Sequence, residues 1–307
     1  MPLHPQAAEA IRVAGDLPTG LEPPELRRRY EAQRSKMLPP PAKVAVAREL
    51  LIPSEDGPVP ARFYRAAKNG GACPLLVYFH GGGWVLGSLE LYDTACRRLA
   101  AKSSCAVVSV GYRLAPETPF PGAVRDAYAA TRWCVTNSAS LGIDPTRVAV
   151  GGDSAGGNLA AVMAQMSRDS REFSIALQAL IYPVTDLSRD YPSHQRNASG
   201  YMLTTAALHW FIDQYVPKVV DRLDARASPM LCADLSGLPR ALVIAAEFDP
   251  LVDENAAYAQ RLKSAGVPVR YEHFAGMVHP FFTLGGIIDD AARAEDLIAA
   301  EMRALSG

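Results

Sequence analysis

Short, continuous apolar runs alternate with helix-length amphipathic segments over most of the chain. Such runs are typical of strands that are covered on both faces, because neither side of the strand then meets water. The segments between them carry apolar residues at helical spacing, as at 91–101, 121–137 and 154–167 and around Ile298. The pattern predicts an α/β sandwich, with a mostly parallel central sheet flanked by helices on both faces. Its apolar strands are expected at 75–79, 106–110, 148–150, 177–182, 241–246 and 267–274.

Two parts of the chain break this rhythm. Residues 1–45 contain a polar helical stretch and a proline run at Pro39-Pro40-Pro41, which favours an extended connection. Residues 185–236 contain helical pieces but no good strand pattern, which indicates an insertion between two strands. We therefore predict an N-terminal helical arm at 1–45, a first core segment at 46–184, an insertion at 185–236 and a second core segment at 237–307.

Composition and charge narrow the class of protein. The chain has 307 residues, and 31 Lys and Arg against 32 Asp and Glu give a net charge of −1, which argues against nucleic-acid binding or a polybasic membrane-surface protein. Hydrophobic residues make up 49%, as in a globular protein. We see no signal peptide and no apolar run near the roughly 18 residues of a transmembrane helix. The five cysteines lack any C-x-x-C spacing and are typical of reduced thiols, so we expect a cytoplasmic protein.

A G-x-S-x-G motif places a serine between a strand and a helix. Gly152-Asp153-Ser154-Ala155-Gly156 follows the apolar run 148–150 and opens an amphipathic segment. This context is typical of a nucleophile elbow, in which the glycines permit a tight turn and the serine hydroxyl is held at the end of the strand. The alternative is a glycine-rich turn in which the serine only caps the helix.

A glycine-rich loop follows the predicted strand at 75–79. His80-Gly81-Gly82-Gly83-Trp84 leaves several backbone N–H groups without neighbouring side chains, as a site that stabilises an oxyanion requires. A phosphate-binding loop would need a following Gly-Lys-Ser/Thr or a G-x-G-x-x-G spacing, and neither is present. A purely structural glycine loop is the remaining alternative.

The general base and its acid partner are expected after later strands, in the order nucleophile, acid, histidine. His279 follows the last strand and its loop, whereas His273 lies within the alternating pattern of that strand. Asp249 directly follows the run 241–248, whereas Asp253 falls in the next helix and the side chain of Glu247 should face the other way. We therefore predict His279 as the base and Asp249 as the acid.

The remaining candidate residues concern metals and the substrate pocket. The sequence contains no H-E-x-x-H, no zinc-type Cys/His spacing and no calcium loop, so we predict no metal and no cofactor. Four aromatic side chains could line a hydrophobic acyl pocket, although aromatic residues more often belong to the core: Trp84, Phe211, Phe281 and Phe282.

These motifs together resemble the hormone-sensitive lipase family of α/β hydrolases, the bacterial family IV esterases. The similarity runs in order and spacing from the strand at 75–79 to His279. It rests on the segments His80–Trp84, Gly111-Tyr112-Arg113-Leu114-Ala115-Pro116-Glu117, Gly152–Asn158, Asp249-Pro250-Leu251 and Gly276-Met277-Val278-His279. One departure is Pro280, which stands where the family usually has glycine.

The resemblance implies an α/β hydrolase fold with a helical cap, built from the N-terminal arm and the insertion. It also implies that the amides of Gly82, Gly83 and Ala155 form the oxyanion hole and that His80 and Gly81 stabilise their loop. We expect Ser154 to attack an ester carbonyl, His279 to take its proton and Asp249 to orient the imidazole.

The expected activity is the hydrolysis of short- to medium-chain carboxylic esters through an acyl-enzyme. The partner is then a small-molecule ester, and a homo-oligomer is compatible with the sequence. An amidase or an acyltransferase could use the same triad. A non-catalytic receptor is the other alternative, but plant hormone receptors that resemble this family lack the catalytic histidine, and His279 is present here.

Overall fold

A computed structural model describes residues 2–15, 21–67 and 71–305, in which eight strands form one sheet. The sheet order is β1-β2-β4-β3-β5-β6-β7-β8; β2 pairs antiparallel with β1 and β4, and the other pairs are parallel. The predicted mostly parallel sheet is therefore confirmed. The strands are β1 Val46–Ile52, β2 Val59–Arg65, β3 Cys73–Phe79, β4 Ala106–Val110, β5 Ile143–Asp153, β6 Leu177–Ile181, β7 Arg240–Phe248 and β8 Val269–Val278.

Helices cover both faces of this sheet. The helices are α1 Pro5–Ala14, α2 Pro23–Arg34, α3 Leu89–Ser103, α4 Gly122–Thr136, α5 Ser138–Leu141, α6 Ala155–Ser170, α7 Pro192–Arg196, α8 Thr205–Tyr215, α9 Val252–Ser264 and α10 Asp290–Arg303. None of those in the described ranges combines the length and the apolar character that crossing a bilayer requires.

Strand alternation divides the core into two layers. Leu75, Val77 and Phe79 of β3 pack in one layer with α4, α6 and α9, whereas Leu76 and Tyr78 pack in the other with α3 and α10. Successive side chains of a strand point to opposite faces, so a strand buried on both faces is apolar throughout. This is why the continuous apolar runs predicted the sheet.

The arm and the insertion both contact the carboxyl end of the sheet. In the arm, the amide of His4 donates to the carbonyl of Gly276 at 3.0 Å, and α2 continues toward the site described below. Residues 16–20 of the arm lie outside the described residues. The insertion at 185–236 contains α7, α8 and two short 3₁₀ turns but no strand. The division into four parts stays a prediction.

The last strand is longer than expected. The pattern predicted its end at Phe274, but β8 runs to Val278, which pairs with Phe248 of β7 after an irregularity in the register. Gly276 has φ 74° and lies within this stretch, so a glycine typical of a loop is part of the strand instead. His279 therefore follows the strand directly rather than after a loop.

Candidate active site

Ser154 lies in the sharp turn between β5 and α6. Its backbone has φ 56° and ψ −118°, outside the regions that residues with a side chain normally occupy. Gly152 and Gly156 permit the turn, because a Cβ on either would overlap the carbonyl oxygen of Phe79. Helix α6 begins at Ala155, and the Ser154 side chain makes no capping hydrogen bond to it. The capping interpretation is therefore not the one that the structure supports.

A hydrogen-bonded chain links Ser154 to Asp249 through His279. Ser154 Oγ donates to His279 Nε2 at 2.8 Å, and His279 Nδ1 donates to Asp249 Oδ2 at 2.7 Å. Asp249 is fully buried, and its Oδ1 accepts the amide of Leu251 at 2.9 Å. The three residues follow β5, β7 and β8, whose carboxyl ends meet at one edge of the sheet.

The alternative base and acid residues lie elsewhere. His273 is exposed on β8. Asp253 on α9 forms an exposed ion pair with Arg196 at 2.7 Å, and Glu247 Oε2 accepts the amide of Gly276 at 2.7 Å. The structure thus brings Ser154, His279 and Asp249 together and leaves these alternatives out.

The loop after β3 passes beside Ser154. Gly82 and Gly83 have φ of 116° and 60°, in the left-handed region that favours glycine, and both border the same cavity as Ser154. A Cβ on Gly83 would overlap the ring of Phe211. Ala155 opens α6, where the first amides have no intrahelical carbonyl to bind. The three residues expected to bind an oxyanion therefore lie on the elements next to Ser154.

Asp153, the residue before this serine, anchors the loop. Its buried carboxylate accepts the amide of Gly81 at 3.0 Å and the hydroxyls of Tyr78 and Tyr92 at 2.8 and 2.9 Å. Burial raises the pKa of Asp153, and the hydrogen bonds from the two tyrosines oppose that shift. Sequence reasoning missed this group because its partners are 61 to 75 residues away and lie on a strand, a loop and a helix that only the fold brings together.

His80 is a buried part of the loop framework. Its ring stacks on Tyr112 with centroids 4.3 Å apart, and its Nδ1–H donates to the carbonyl of Gly81 at 2.9 Å. The hydroxyl of Tyr112 donates to the carbonyl of His80 at 2.7 Å. Burial lowers the pKa of His80 to about 4, so the ring is neutral near pH 7. The contacts fit the expected loop-stabilising role better than that of a base.

The cavity next to Ser154 is largely apolar and has a volume of about 60 Å³. Two of the four candidate pocket residues, Trp84 and Phe211, line it, and the Trp84 ring stacks on Tyr215 at 4.2 Å. The arm and the insertion supply further walls, which sequence reasoning did not identify: Tyr30, Arg34, Met202, Leu203 and Leu208.

Phe281 and Phe282 lie in the core rather than in the cavity wall, which corrects the expectation for both. The Phe281 ring contacts Phe274 at 4.8 Å, and the Phe282 ring stacks on Tyr78 at 6.5 Å. Both follow Pro280, which does line the cavity, in a short 3₁₀ turn that directs them toward the second core layer. The sequence could not indicate which way this turn faces.

A second group of titratable side chains lies in the insertion. Asp190 Oδ1 accepts from His194 Nδ1 at 3.0 Å and from His209 Nε2 at 2.8 Å. Among the described ranges this is the one cluster of histidine and acidic side chains close enough to hold a metal ion. Asp190 and His194 are four residues apart, but only the fold brings His209 on α8 to them, so no complete ligand motif appears in the sequence. None of the three residues lines the cavity at Ser154.

Comparisons with known proteins show which family and which enzymes this chain is similar to. A family model described as the α/β hydrolase fold matches residues 76–283. The ethyl acetate hydrolase of Pseudomonas putida is 43% identical over 292 residues, which cover 93% of this chain and 92% of that protein. The carboxylesterase NlhH of Mycobacterium tuberculosis is 42% identical, over 80% of this chain and 79% of its own.

Solved structures are similar over almost the whole chain. An esterase from Pyrobaculum calidifontis superposes with a TM-score of 0.92 at 41% identity and covers 99% of both chains. The ester hydrolase EH1AB1 from the metagenome of Lake Arreo, solved with a derivative of bipyridine phosphonate, has a TM-score of 0.93 at 41% identity over 98% of both chains.

Proposed function

The chain belongs to the α/β hydrolase family, in the branch of carboxylic ester hydrolases that resembles hormone-sensitive lipase, and we propose that it is a serine esterase that works through an acyl-enzyme. Family membership confirms the predicted fold and enzyme class. The observation that carries the proposed mechanism is the hydrogen-bonded chain from Ser154 through His279 to Asp249, beside an apolar cavity.

In the acylation step, Ser154 Oγ attacks the ester carbonyl carbon while its proton passes to His279 Nε2. Asp249 accepts the Nδ1–H of the same ring, which holds the imidazole in the tautomer with a free Nε2 and stabilises the imidazolium that forms. The tetrahedral intermediate then loses the alcohol, which leaves with the proton from His279. The product of this half-reaction is an ester between the acyl group and Ser154.

The negative oxygen of the tetrahedral intermediate is bound by backbone amides. Those of Gly82, Gly83 and Ala155 are the proposed donors, and the contacts of Asp153 with the loop keep it in place beforehand. Preorganised hydrogen-bond donors in a site that excludes water stabilise the developing negative charge strongly. Removal of one such donor typically lowers kcat by about 10²- to 10³-fold.

Deacylation repeats the chemistry with water as the nucleophile. His279 takes a proton from the water, the oxygen attacks the acyl carbon, and Ser154 recovers its proton as the carboxylic acid leaves. This scheme uses the side chains and amides already named and calls for no cofactor. An acyltransferase would replace the water by an alcohol, and an amidase would release an amine in the first step.

Small esters suit the site because the cap restricts the cavity. Tyr30 on α2 and Leu208 and Phe211 on α8 line it together with Ser154, so the acyl chain has finite room. Each methylene that fits gains about 0.8 kcal/mol, and carbons beyond that room must displace packed side chains at a cost of about 1–3 kcal/mol.

A cytoplasmic location also stays a prediction, based on the unpaired cysteines.

Initial rates on 4-nitrophenyl esters of graded acyl length test the proposal. We expect kcat/KM to peak at acyl chains of roughly four to eight carbons, because the gain of about 0.8 kcal/mol per buried methylene lasts only while the acyl chain fits the cavity. We also expect little activity on the matching anilide or on long-chain triglyceride. Ser154→Ala should lose about 10⁴- to 10⁶-fold in kcat with its fold intact. A profile still rising at palmitate would indicate an open groove and a lipase, and faster anilide cleavage would indicate an amidase.

A further inference from the structure

Arg34 places a half-buried cation, two of whose nitrogens are buried and unpaired, in the wall of the cavity that contains Ser154. It is the last residue of α2, and its side chain lines the cavity that contains Ser154. Its Nε and Nη1 atoms are inaccessible to solvent and have no hydrogen-bond partner. Throughout the described ranges, no carboxylate lies within ion-pair distance of its guanidinium, which instead lies over the ring of Tyr30 at 5.2 Å.

The other arginines of the same helix show that this state is unusual. Arg27 pairs with Glu117 and also donates to two main-chain carbonyls, while Arg28 and Arg29 both pair with Glu25. A buried donor that lacks an acceptor is costly, and the cost is larger for a charged group. Arg34 is therefore the arginine of α2 that has buried nitrogens without an acceptor among the described residues.

Asp153, the one carboxylate among the described residues that line the cavity, does not supply that acceptor. Asp153 Oδ1 and Oδ2 are occupied by Tyr78, Tyr92 and the amide of Gly81. Its contacts hold the loop after β3 rather than the arm. The positive charge of Arg34 is thus not neutralised by a direct partner inside the cavity.

A second unpartnered group lies in the same cavity wall. The hydroxyl of Tyr182 is buried without a hydrogen-bond partner, and its ring contacts that of His279 at 4.6 Å. Burial raises the pKa of Tyr182 well above its usual value, so the hydroxyl keeps its proton, and the charge of Arg34 is near enough to oppose that shift. The cavity therefore offers a guanidinium and a neutral O–H donor within a largely apolar lining.

We propose that Arg34 and Tyr182 form a subsite for a carboxylate on the substrate, so that the preferred class is esters in which one side also carries a free acid. The proposal rests on the proposed esterase function. A guanidinium presents a planar set of N–H donors that matches a carboxylate, and its binding would satisfy donors that the chain leaves unmet. The acid lies either on the acyl side, as in a half-ester of a dicarboxylic acid, or on the alcohol side, as in an ester of a hydroxy acid.

Paired substrates test this subsite on each side of the scissile bond. On the acyl side, mono-4-nitrophenyl adipate is compared with 4-nitrophenyl hexanoate; on the alcohol side, the butyryl ester of glycolic acid is compared with propyl butyrate. Arg34→Met removes the donors and the charge, and Arg34→Lys keeps the charge but loses the planar donor set. Arg28→Met, which changes an exposed arginine of the same helix, is the matched control.

We expect the acid-to-neutral ratio of kcat/KM to fall roughly 10- to 100-fold in Arg34→Met on one of the two sides, as loss of hydrogen bonds to a charged group implies. Arg34→Lys should retain an intermediate ratio, and Arg28→Met should retain the wild-type ratio. The side on which the ratio falls identifies the source of the carboxylate.

Unchanged ratios on both sides, equal losses on acidic and neutral esters, or the same fall in Arg28→Met would each overturn the subsite. Failure of the proposed function would look different, because the wild type would then not hydrolyse hexanoate or propyl butyrate at all. Thermal melting separates misfolding from lost binding: since two buried, unpaired donors of a charged group are removed, Arg34→Met should melt at or above the wild-type temperature.

Discussion

Ser154 adopts a backbone conformation that a residue with a side chain rarely occupies, with φ 56° and ψ −118°. Such a conformation costs of order 1–3 kcal/mol and persists only where the surroundings impose it. Here the main chain of Phe79 closes against Gly156, and the Ser154 amide donates to the carbonyl of Ile181 at 2.8 Å. The turn therefore directs the hydroxyl at His279 rather than along the helix.

The two histidines near the end of β8 give a matched pair for the proposed base. His279→Ala should lower kcat by about 10⁴- to 10⁶-fold, because the proton of Ser154 then has no acceptor. His273→Ala should stay near the wild-type rate, because His273 is exposed on the strand and outside the hydrogen-bonded chain. Steady-state rates on 4-nitrophenyl butyrate measure both, and the opposite ranking would assign the base to His273.

Residue-level prediction from the sequence was possible only where a local rule applied. Asp249 and His279 could be chosen because catalytic side chains of parallel sheets follow strand ends, which an apolar run marks. The unpaired state of Arg34 and the direction of Phe281 could not be found in the same way. Both depend on which residues from distant parts of the chain pack around them, and no spacing in the sequence records that.

At the scale of elements, the crossing of β3 with α6 is unusually close. Gly156 in α6 lies so near the main chain of Phe79 and His80 that an added Cβ would overlap the carbonyl oxygens of both. Those two residues end β3 and begin the glycine-rich loop, so the close contact sets the distance between the loop and Ser154. The last glycine of the G-x-S-x-G motif is thus required by packing as well as by the turn.

Gly156→Ala should destabilise the fold, because the added methyl meets main-chain atoms that cannot rotate away. Overpacking of this kind costs typically 1–3 kcal/mol and occasionally more. Gly71→Ala is the control, since nothing lies within 4 Å of a Cβ at that position. Urea denaturation gives the free energy of unfolding of both, and equal values would show that α6 can move away from β3.

The loop framework should also make stability depend on pH through His80. Burial lowers the pKa of His80 from 6.5 to about 4, so between these pH values the unfolded chain binds a proton that the folded one does not. The stabilisation is complete above pH 6.5 and is lost as the pH falls toward 4, by up to about 3 kcal/mol.

His80→Phe keeps a ring to stack on Tyr112 but cannot take up a proton. We expect its free energy of unfolding to change less between pH 7 and pH 4 than that of the wild type. Denaturant unfolding at a series of pH values measures the difference. Parallel curves for the two proteins would show that His80 titrates equally in the folded and unfolded states.

For the whole molecule, contacts of Arg27 tie the N-terminal arm to the segments that follow β3 and β4. Arg27 on α2 donates through Nε to the carbonyl of Val85 at 2.7 Å and through Nη2 to that of Ala115 at 2.9 Å, and it pairs with Glu117. Val85 directly follows the glycine-rich loop and its tryptophan. The apolar pattern predicted a mostly parallel sheet but not the order of its strands. Strand order depends on long-range contacts that the pattern does not encode.

Arg27→Met should loosen the arm, because the carbonyls of Val85 and Ala115 lose their hydrogen-bond donor. An unsatisfied buried acceptor costs about 1–3 kcal/mol of stability. The melting temperature and kcat/KM should both fall, because α2 supplies one wall of the cavity. Arg28→Met should change neither, since Arg28 is exposed and pairs only with Glu25 on its own helix. A melting temperature of Arg27→Met equal to that of Arg28→Met would contradict the tethering role.

The central claim is that Ser154 forms the covalent bond to the acyl group, and labelling with a 4-nitrophenyl alkylphosphonate tests it most directly. The reagent should release one equivalent of nitrophenol and abolish ester hydrolysis, and peptide mass spectrometry should find the added phosphonate on the peptide containing Ser154 and on no other. Ser154→Ala should take up no label. A label on another residue, or full labelling of Ser154→Ala, would contradict the account.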